Sequence, residues 1–155
     1  MVSSTSVLES TPIYLEPAKQ PSRLAKPDDW EWRLDERKQP HRDNGEEEIA
    51  QLLRILKVKW YYEPIFYPLE YYDSGNIAMG FMPDFYLVKT SKRPGFHIEV
   101  TTSSGKEYRA HARKAELTRQ IYSVKTVLIH YPLPVEYKRS LPWFLNLCRS
   151  VYGRI

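Results

Sequence analysis

Hydrophobic residues recur along the chain with two different spacings, and each spacing predicts a different kind of element. Residues 44–56 have apolar side chains every three or four positions, which is the period of an amphipathic helix. Residues 58–101 contain short aromatic and β-branched runs separated by Pro, Gly and the turn sequence SGN, which is typical of strands. Helical spacing returns in 105–122, a short apolar run follows at 125–131, and 140–153 predict a closing helix. This order predicts an α/β fold with a mixed central sheet of about four to five strands flanked by helices.

The first predicted helix begins with three consecutive glutamates, two of which flank its apolar stripe. At about 100° per residue, Glu46 and Glu48 lie at the edges of the stripe, while Glu47 lies on the opposite side, toward water. Glu46 is the best placed of the three to lean over the edge of the sheet. Compensation of the helix dipole is the structural alternative for all three. The stripe itself consists of Ile49, Leu52, Leu53 and Leu56, and the candidate caps are Asp43 and Asn44.

Two carboxylates interrupt apolar strands in the middle of the chain. Asp84 follows Pro83 inside the run FMPDFYLV, and Glu99 lies fifteen residues later in FHIEVTT. A carboxylate inside a strand is costly unless it is paired or metal-bound, and two on adjacent strands repel unless a cation lies between them. Strand alternation places His97, Glu99 and Thr101 on one polar face, which either meets solvent or lines a site. Oxygen ligands of this kind suit Mg²⁺.

Positive charge is concentrated in the last third of the chain. The whole chain has a formal net charge of +4, but residues 1–43 sum to −1, residues 44–104 to −2 and residues 105–155 to +7. A basic surface beside an acidic site suits a polyanionic substrate that is reached through metal ions, and a solvated helix face is the alternative. The basic residues that we expect at nucleic-acid phosphates are Lys106, Arg109 and Arg113.

Together, the segments NGEEEIAQLL, VKWYYEP, FMPDFYLV and FHIEVTT resemble the PD-(D/E)XK, or restriction-endonuclease-like, nuclease superfamily. The resemblance covers about residues 43–130 and is nearest to phage junction-resolving endonucleases and transposase endonuclease subunits. It implies a restriction-endonuclease-like core, hydrolysis of DNA phosphodiester bonds, and Mg²⁺ as the cofactor, with Mn²⁺ as a substitute. It also implies DNA as the partner, and a homodimer or a larger transposition or recombination assembly.

The resemblance implies a role for each candidate acid. The helix glutamate of the pattern corresponds to Glu46, and its Pro-Asp corresponds to Pro83 and Asp84. The second acid corresponds to Glu99. By this resemblance, Glu46, Asp84 and Glu99 are both catalytic residues and metal ligands. The main-chain carbonyl of Val100 is an additional ligand of the implied metal.

The sequence departs from the pattern at its lysine, which is replaced by Thr101. That lysine ordinarily orients the attacking water and stabilises developing charge. In some members of the superfamily it has moved to the following helix, where Lys114 is the candidate and Lys106 its competitor. A lysine on an apolar helix face more ordinarily extends to water. The alternative function is a catalytically degenerate DNA-binding or assembly module. The predicted sheet-facing stripe that includes Lys114 consists of Ala110, Leu117 and Ile121.

The remaining features predict the domain boundaries and the compartment. We expect residues 1–43 to form a partly disordered N-terminal arm and residues 44–155 to form the nuclease-like domain. No apolar run approaches the roughly 18 residues of a membrane helix, and the N-terminus has no signal-peptide pattern. The single Cys148 excludes an internal disulfide and suits a reducing cytoplasm, with buried packing as its ordinary role. His97 and His111 are weaker candidates beside the metal, since lone histidines usually have ordinary partners, and the chain has no zinc-ligand spacing.

Overall fold

The structure of the protein, a computed structural model, describes residues 21–32, 44–102, 105–136 and 139–152. Asp43, one of the candidate caps of the first helix, lies outside the described residues, as does most of the predicted arm. Three helices are described: α1 (Asn44–Leu56), α2 (Lys106–Tyr122) and α3 (Ser140–Tyr152). The described strands are β1 (Arg23–Leu24), β2 (Glu31–Trp32), β3 (Trp60–Tyr62), β4 (Ile65–Tyr71), β5 (Ile77–Phe81), β6 (Phe85–Leu87), β7 (Phe96–Thr101) and β8 (Thr126–His130).

The main sheet joins four strands in the order β3-β6-β7-β8. Strands β3 and β7 run antiparallel to β6, and β8 runs parallel to β7. The parallel step requires a crossover connection, which α2 supplies between the end of β7 and the start of β8. The predicted mixed α/β class is therefore confirmed, but the strands form two sheets and not one central sheet.

A second sheet is centred on β4, which pairs antiparallel with β1, β2 and β5. The turn sequence SGN lies between β4 and β5 and makes them a hairpin. The sequence pattern did not predict β5 as a strand of its own. The two short arm strands pair with β4 at Arg23–Tyr71 and Trp32–Ile65, so the described part of the arm extends this second sheet.

The run FMPDFYLV does not form the single strand that its apolar residues predict. Strand β5 ends at Phe81, and β6 begins at Phe85 in the other sheet. Pro83 has no N–H to donate to a strand ladder, and the chain passes from one sheet to the other at this point. Asp84 therefore precedes β6 and does not lie inside a strand.

The larger hydrophobic core lies between the main sheet and the helices α1 and α3. The stripe of α1 is buried as predicted, with Ile49 and Leu53 fully enclosed. From the sheet, Ile98 and Val100 of β7 face this core, and from α3, Phe144 and Cys148 do. Burial raises the pKa of the Cys148 thiol to about 12, which agrees with a packing role. In the part of the chain that the structure describes, no helix combines the length and apolar character needed to cross a bilayer.

The other face of the main sheet is covered by α2 and the β4–β5 hairpin. The sheet-facing stripe predicted for α2 is wrong at Ala110, which is exposed. The buried positions are Ala115 and Thr118, so the inward face is turned relative to the prediction. The Thr118 hydroxyl donates to the Lys114 carbonyl at 2.7 Å, and this bond permits a polar residue on the buried side. His111, one turn before Ala115, shares this face.

Gly45, at the start of α1, lies against the ring of Tyr131. A Cβ at position 45 would come within 2.8 Å of Tyr131 Cγ, which is closer than two carbons can approach. We expect Gly45→Ala to lower the free energy of unfolding by about 1–3 kcal/mol, because the helix start or the ring must move. Without the clash, alanine would instead favour the helix.

Thermal unfolding of Gly45→Ala, Tyr131→Ala and the double variant checks this expectation. The cost of Gly45→Ala should be much smaller when the Tyr131 ring is absent, giving a coupling free energy between the two positions. An equal cost with and without the ring would show that the close approach is not the cause.

Candidate functional site

Three acidic residues lie in a row across three neighbouring strands of the main sheet. Pairing of β6 with β7, continued by one residue, places Asp84 opposite Glu99. Pairing of β3 with β6, continued in the same way, places Glu63 opposite Asp84, and the Glu63 N–H donates to the Asp84 carbonyl at 2.7 Å. Strand register therefore assembles the site from residues that are far apart in sequence.

The Asp84 and Glu99 side chains are held by main-chain groups of the facing strand. The Val100 N–H donates to Asp84 Oδ2 at 2.8 Å, and the Asp84 N–H donates to Glu99 Oε1 at 3.1 Å. Both acids are only 7% exposed, and all six residues of β7 are buried. The solvent-facing alternative for Glu99 is therefore wrong. Asp84 Oδ1 and Glu99 Oε2 remain outside these main-chain hydrogen bonds.

Glu46 reaches the acid row from the start of α1. It is 4% exposed, whereas Glu47 and Glu48 are half-buried. The Tyr62 hydroxyl donates to Glu46 Oε1. Burial raises the pKa of Tyr62 above its usual range, and the hydrogen bond to Glu46 raises it further. The hydroxyl therefore keeps its proton and donates to Glu46. The charge of Glu46 raises the pKa of both strand acids, which places all three candidate carboxylates in one electrostatic cluster.

Glu63 is a fourth acid of the cluster, and the sequence analysis did not select it. Glu63 is only 2% exposed. Its φ is 46°, in the left-handed region that non-glycine residues rarely adopt. Its charge also raises the pKa of Asp84 and Glu99. Strained conformations of this kind concentrate at functional sites. The available signal was an acid placed inside the aromatic run WYYEPIFY.

The pKa values of Asp84 and Glu99 are both raised above those of ordinary carboxyl groups. Burial is the largest cause of the raised pKa of Asp84, which reaches about 9, and the charges of Glu99 and Glu46 add to it. Burial also raises the pKa of Glu99 to about 7, although hydrogen bonds from Asp84 oppose the rise. Buried carboxylates that repel each other in this way are a site where a bound cation would relieve a large electrostatic cost.

His111 is the cationisable side chain that lies against Glu99. Its Nδ1 is 3.2 Å from Glu99 Oε2, but the ring N–H is not aligned with the carboxylate. Nδ1 is buried, and among the described residues it has no hydrogen-bond partner. Burial lowers the pKa of His111, and the charge of Lys114 lowers it further. An inward-facing histidine therefore occupies the position beside Glu99 that a cation was expected to take.

Lys114 is half-buried on α2, one turn beyond His111. Among the residues that the structure describes, it forms no ion pair with Asp84 or Glu99, and its charge lowers the pKa of His111. Its role in catalysis stays a prediction. Thr101, at the lysine position of the pattern, is buried at the end of β7.

The predicted nucleic-acid residues lie on the outer side of α2. Lys106, Arg109 and Arg113 are exposed and are spaced three and four residues apart, so they share one helix face. At about 100° per residue, this face is opposite the one that carries His111. Arg113 Nη2 lies 3.5 Å from Glu70 Oε2. These residues are thus separated from the acid row by the width of the helix, although Lys106 begins the helix near the end of β7.

His97 has an ordinary structural role. It is fully buried, with the Tyr67 hydroxyl donating to Nε2 at 2.7 Å and its Nδ1–H donating to the Phe85 carbonyl at 3.1 Å. Burial lowers the pKa of His97 to about 3, so the ring is neutral at ordinary pH. Both ring nitrogens are already used, and no donor remains for a metal ion.

The donor set suits a magnesium ion that is completed by water and substrate. In the described ranges of the chain, no three His, Cys, Asp or Glu side chains are grouped closely enough to form a metal cage. Mg²⁺ is ordinarily bound through only one or two carboxylates, with waters and phosphate oxygens filling the octahedron. Asp84 and Glu99 offer two hard oxygens. The Val100 carbonyl lies on the same strand edge as its N–H, which contacts Asp84, and could add a third.

Comparison with models of protein families, with curated proteins and with solved structures finds no match to this chain. The functional interpretation therefore depends on the residues of the site itself.

Proposed function

We propose that the protein is a metal-dependent endonuclease that hydrolyses DNA phosphodiester bonds. The observation that carries this proposal is the buried Asp84–Glu99 pair, held side by side by main-chain hydrogen bonds at 2.8 and 3.1 Å. Such an arrangement has an electrostatic cost that a divalent cation would remove. A restriction-endonuclease-like core is the finer fold that this proposal implies. Its support is the strand order, the crossover helix and the acidic start of α1.

The proposed roles of the residues follow from their positions. Asp84 and Glu99 would hold the metal through the oxygens outside the main-chain bonds, with the Val100 carbonyl as an additional ligand. Glu46 assists from α1, either as a direct ligand or through a bound water. When bound, the metal would lower the pKa of a coordinated water and stabilise charge on the scissile phosphate. In the proposed hydrolysis, a water oxygen would form the new P–O bond as the bond to the leaving sugar oxygen breaks. The water would lose a proton to solvent, and the leaving sugar oxygen would gain one from solvent.

The side chain that assists at the reacting phosphate, as a cation or as a neutral hydrogen-bonding group, is proposed to come from α2. The sequence predicts Lys114 for this role. The structure adds His111 as a second candidate, because its Nδ1 lies beside Glu99. We expect His111→Gln to reduce the rate of cleavage by about 10- to 100-fold, because it changes the group nearest the metal ligands. Lys114→Met should reduce it by less than about fivefold, because its ammonium makes no direct contact with the two acids in the described residues.

Single-turnover cleavage rates of the two variants separate these roles, with thermal unfolding as the control for folding. If Lys114→Met lowers the cleavage rate more than His111→Gln does, Lys114 and not His111 is the residue that assists at the phosphate. DNA contacts of Lys106, Arg109 and Arg113 belong to the same proposal, and their neutral variants should weaken DNA binding more at low salt than at high salt.

The second candidate is a DNA-binding or assembly module that has lost the chemistry. Thr101 in place of the lysine favours it, as does the lack of a three-ligand metal group among the described residues. Incubation of supercoiled plasmid and of a four-way DNA junction with the protein in Mg²⁺, Mn²⁺ or EDTA tests the choice. Nicking or cleavage that EDTA abolishes supports the endonuclease. Binding of both DNAs without cleavage in either metal would overturn it and favour the module.

A further inference from the structure

A second polar site lies at the other end of the main sheet. A cavity of about 400 Å³ is enclosed by residues 57–59, between α1 and β3, and by residues 88–93, between β6 and β7. The acid row lies where β3 ends and β6 begins, whereas this cavity lies where β3 begins and β6 ends. Residues 44–104 sum to a charge of −2, but the acid row and the lysines of this cavity lie at opposite ends of β3 and β6.

The cavity wall is strongly basic. Five of its nine lining residues are lysine or arginine, and within the described chain none is acidic. Lys57 and Lys59 have local explanations, because Lys57 follows the negative end of the α1 dipole and the Lys59 ammonium lies 5.9 Å from the Tyr61 ring centroid. Lys89 and Lys92 have no comparable explanation. Both are exposed residues that line the cavity, and positive charge on a concave surface favours an anion there.

The loop that carries these lysines is held together by hydrogen bonds among its own residues. The buried Arg93 donates through Nη1 to the carbonyls of Val88 at 3.0 Å and Pro94 at 3.2 Å. Thr90 and Arg93 form a bridge across the loop, and the Lys92 N–H donates to Thr90 Oγ1 at 3.2 Å. These hydrogen bonds hold the backbone that carries the two lysines in one conformation, which favours binding because less of the loop has to be ordered by a ligand.

We propose that this cavity is a nucleotide-binding site, with Lys89 and Lys92 at the phosphate. Its volume lies within the range of about 300–1,000 Å³ that is usual for small-ligand sites, and it exceeds the space that a bare phosphate fills. Val58 and Val88 supply an apolar surface for the sugar and base. The ligand is a free nucleotide or a nucleotide unit of a DNA strand, since both present the same phosphate and base. This inference does not depend on the proposed cleavage activity.

Calorimetric titration of the full chain with ADP and with a single-stranded hexathymidylate tests the proposal. The two variants are Lys89→Gln/Lys92→Gln and, as a control with the same change of charge, Lys26→Gln/Arg139→Gln at exposed positions far from the cavity in sequence. We expect the first variant to weaken binding about five- to tenfold, and the control to weaken it less than about twofold. Both should melt at the wild-type temperature, because the substituted side chains are exposed.

Each outcome decides the question. Binding of ADP alone supports the site with a free nucleotide as its occupant. Binding of hexathymidylate, with ADP as its competitor, supports the site with a strand unit as its occupant. Equal weakening in the cavity variant and the control variant would overturn the proposal, as would the failure of both probes to bind the wild-type protein. Either result leaves the cleavage assay unaffected, so the two proposals fail separately.

Discussion

Replacing Asp84 by asparagine is expected to reduce Mg²⁺-dependent DNA cleavage by roughly 1,000-fold, a loss of about 4 kcal/mol of transition-state stabilisation. Asparagine keeps an oxygen that can accept the Val100 N–H, so the loop before β6 should retain its position. It removes the negative charge that makes this oxygen a good ligand for a hard cation. The loss should therefore appear in the rate of the chemical step, with DNA binding nearly unchanged.

The matched control is Asp73→Asn, which makes the same chemical change at an exposed turn position between β4 and β5. Cleavage rates at saturating protein, measured for wild type and both variants, check the expectation. Wild-type rates in Asp73→Asn and background rates in Asp84→Asn would agree with it. Substantial cleavage by purified Asp84→Asn would remove Asp84 from the active site.

The second large effect of Asp84→Asn is expected on stability. The substitution that lowers the cleavage rate should raise the free energy of unfolding of the metal-free protein. Without metal, the raised pKa values of Asp84 and Glu99 mean that folding favours their protonated forms. Their contribution to stability is fully present below the ordinary values of 3.8 and 4.5, and it is lost as pH rises through about 7 and about 9. His97 acts in the other direction, because its pKa of about 3 makes the fold less stable as pH falls below 6.5. Above pH 6.5 the acid pair is therefore the main source of the pH dependence among these three groups.

Asp84→Asn should consequently stabilise the metal-free protein at pH 8. An amide in this position is neutral at every pH and can donate to Glu99, which replaces the shared proton of the pair. We expect the free energy of unfolding to rise by about 2 kcal/mol, which corresponds to a rise of about 4–8 °C in Tm. This is less than the raised pKa values alone would give, because the buried pair can relax. The gain should shrink toward pH 4.5, where the wild-type pair is protonated.

Thermal unfolding in EDTA at several pH values between 4.5 and 9 measures this difference. Asp73→Asn, with an exposed side chain, should follow the wild-type curve. If Asp84→Asn is less stable than wild type at pH 8, the carboxylates are not in electrostatic conflict, and the main reason for expecting a cation between them disappears.

The parts of the fold that could be predicted are those in which apolar residues recur with a single clear spacing along the sequence. The stripe of α1 is strongly amphipathic, and its burial, including the choice of Glu46 over its neighbours, follows from helix geometry. The inward face of α2 was misplaced because it contains polar side chains. Thr118 is buried through a hydrogen bond to the backbone of its own helix, and His111 lies against Glu99, and neither contact can be read from periodicity.

The candidate site shows the same division. Asp84 and Glu99 stand out in the sequence because charged residues inside apolar runs need a compensating partner. Glu63 was missed because its place in the acid row depends on the β3–β6 register, which the sequence does not specify across a change of sheet. The lysine-lined cavity was missed for a related reason. Its two walls are about thirty residues apart in sequence, and they are brought together by the β3–β6 pairing and by the Val88 N–H, which donates to the Lys59 carbonyl at 2.9 Å.

Binding of Mn²⁺ tests most directly whether Asp84 and Glu99 form a metal centre. Electron paramagnetic resonance of free Mn²⁺, during titration with wild type, Asp84→Asn and Asp73→Asn at pH 8, counts the bound ions without requiring cleavage. We predict saturable binding by wild type and by Asp73→Asn, and loss of that binding in Asp84→Asn. Equal binding by all three proteins, or no binding by wild type, would contradict a metal centre at these two acids.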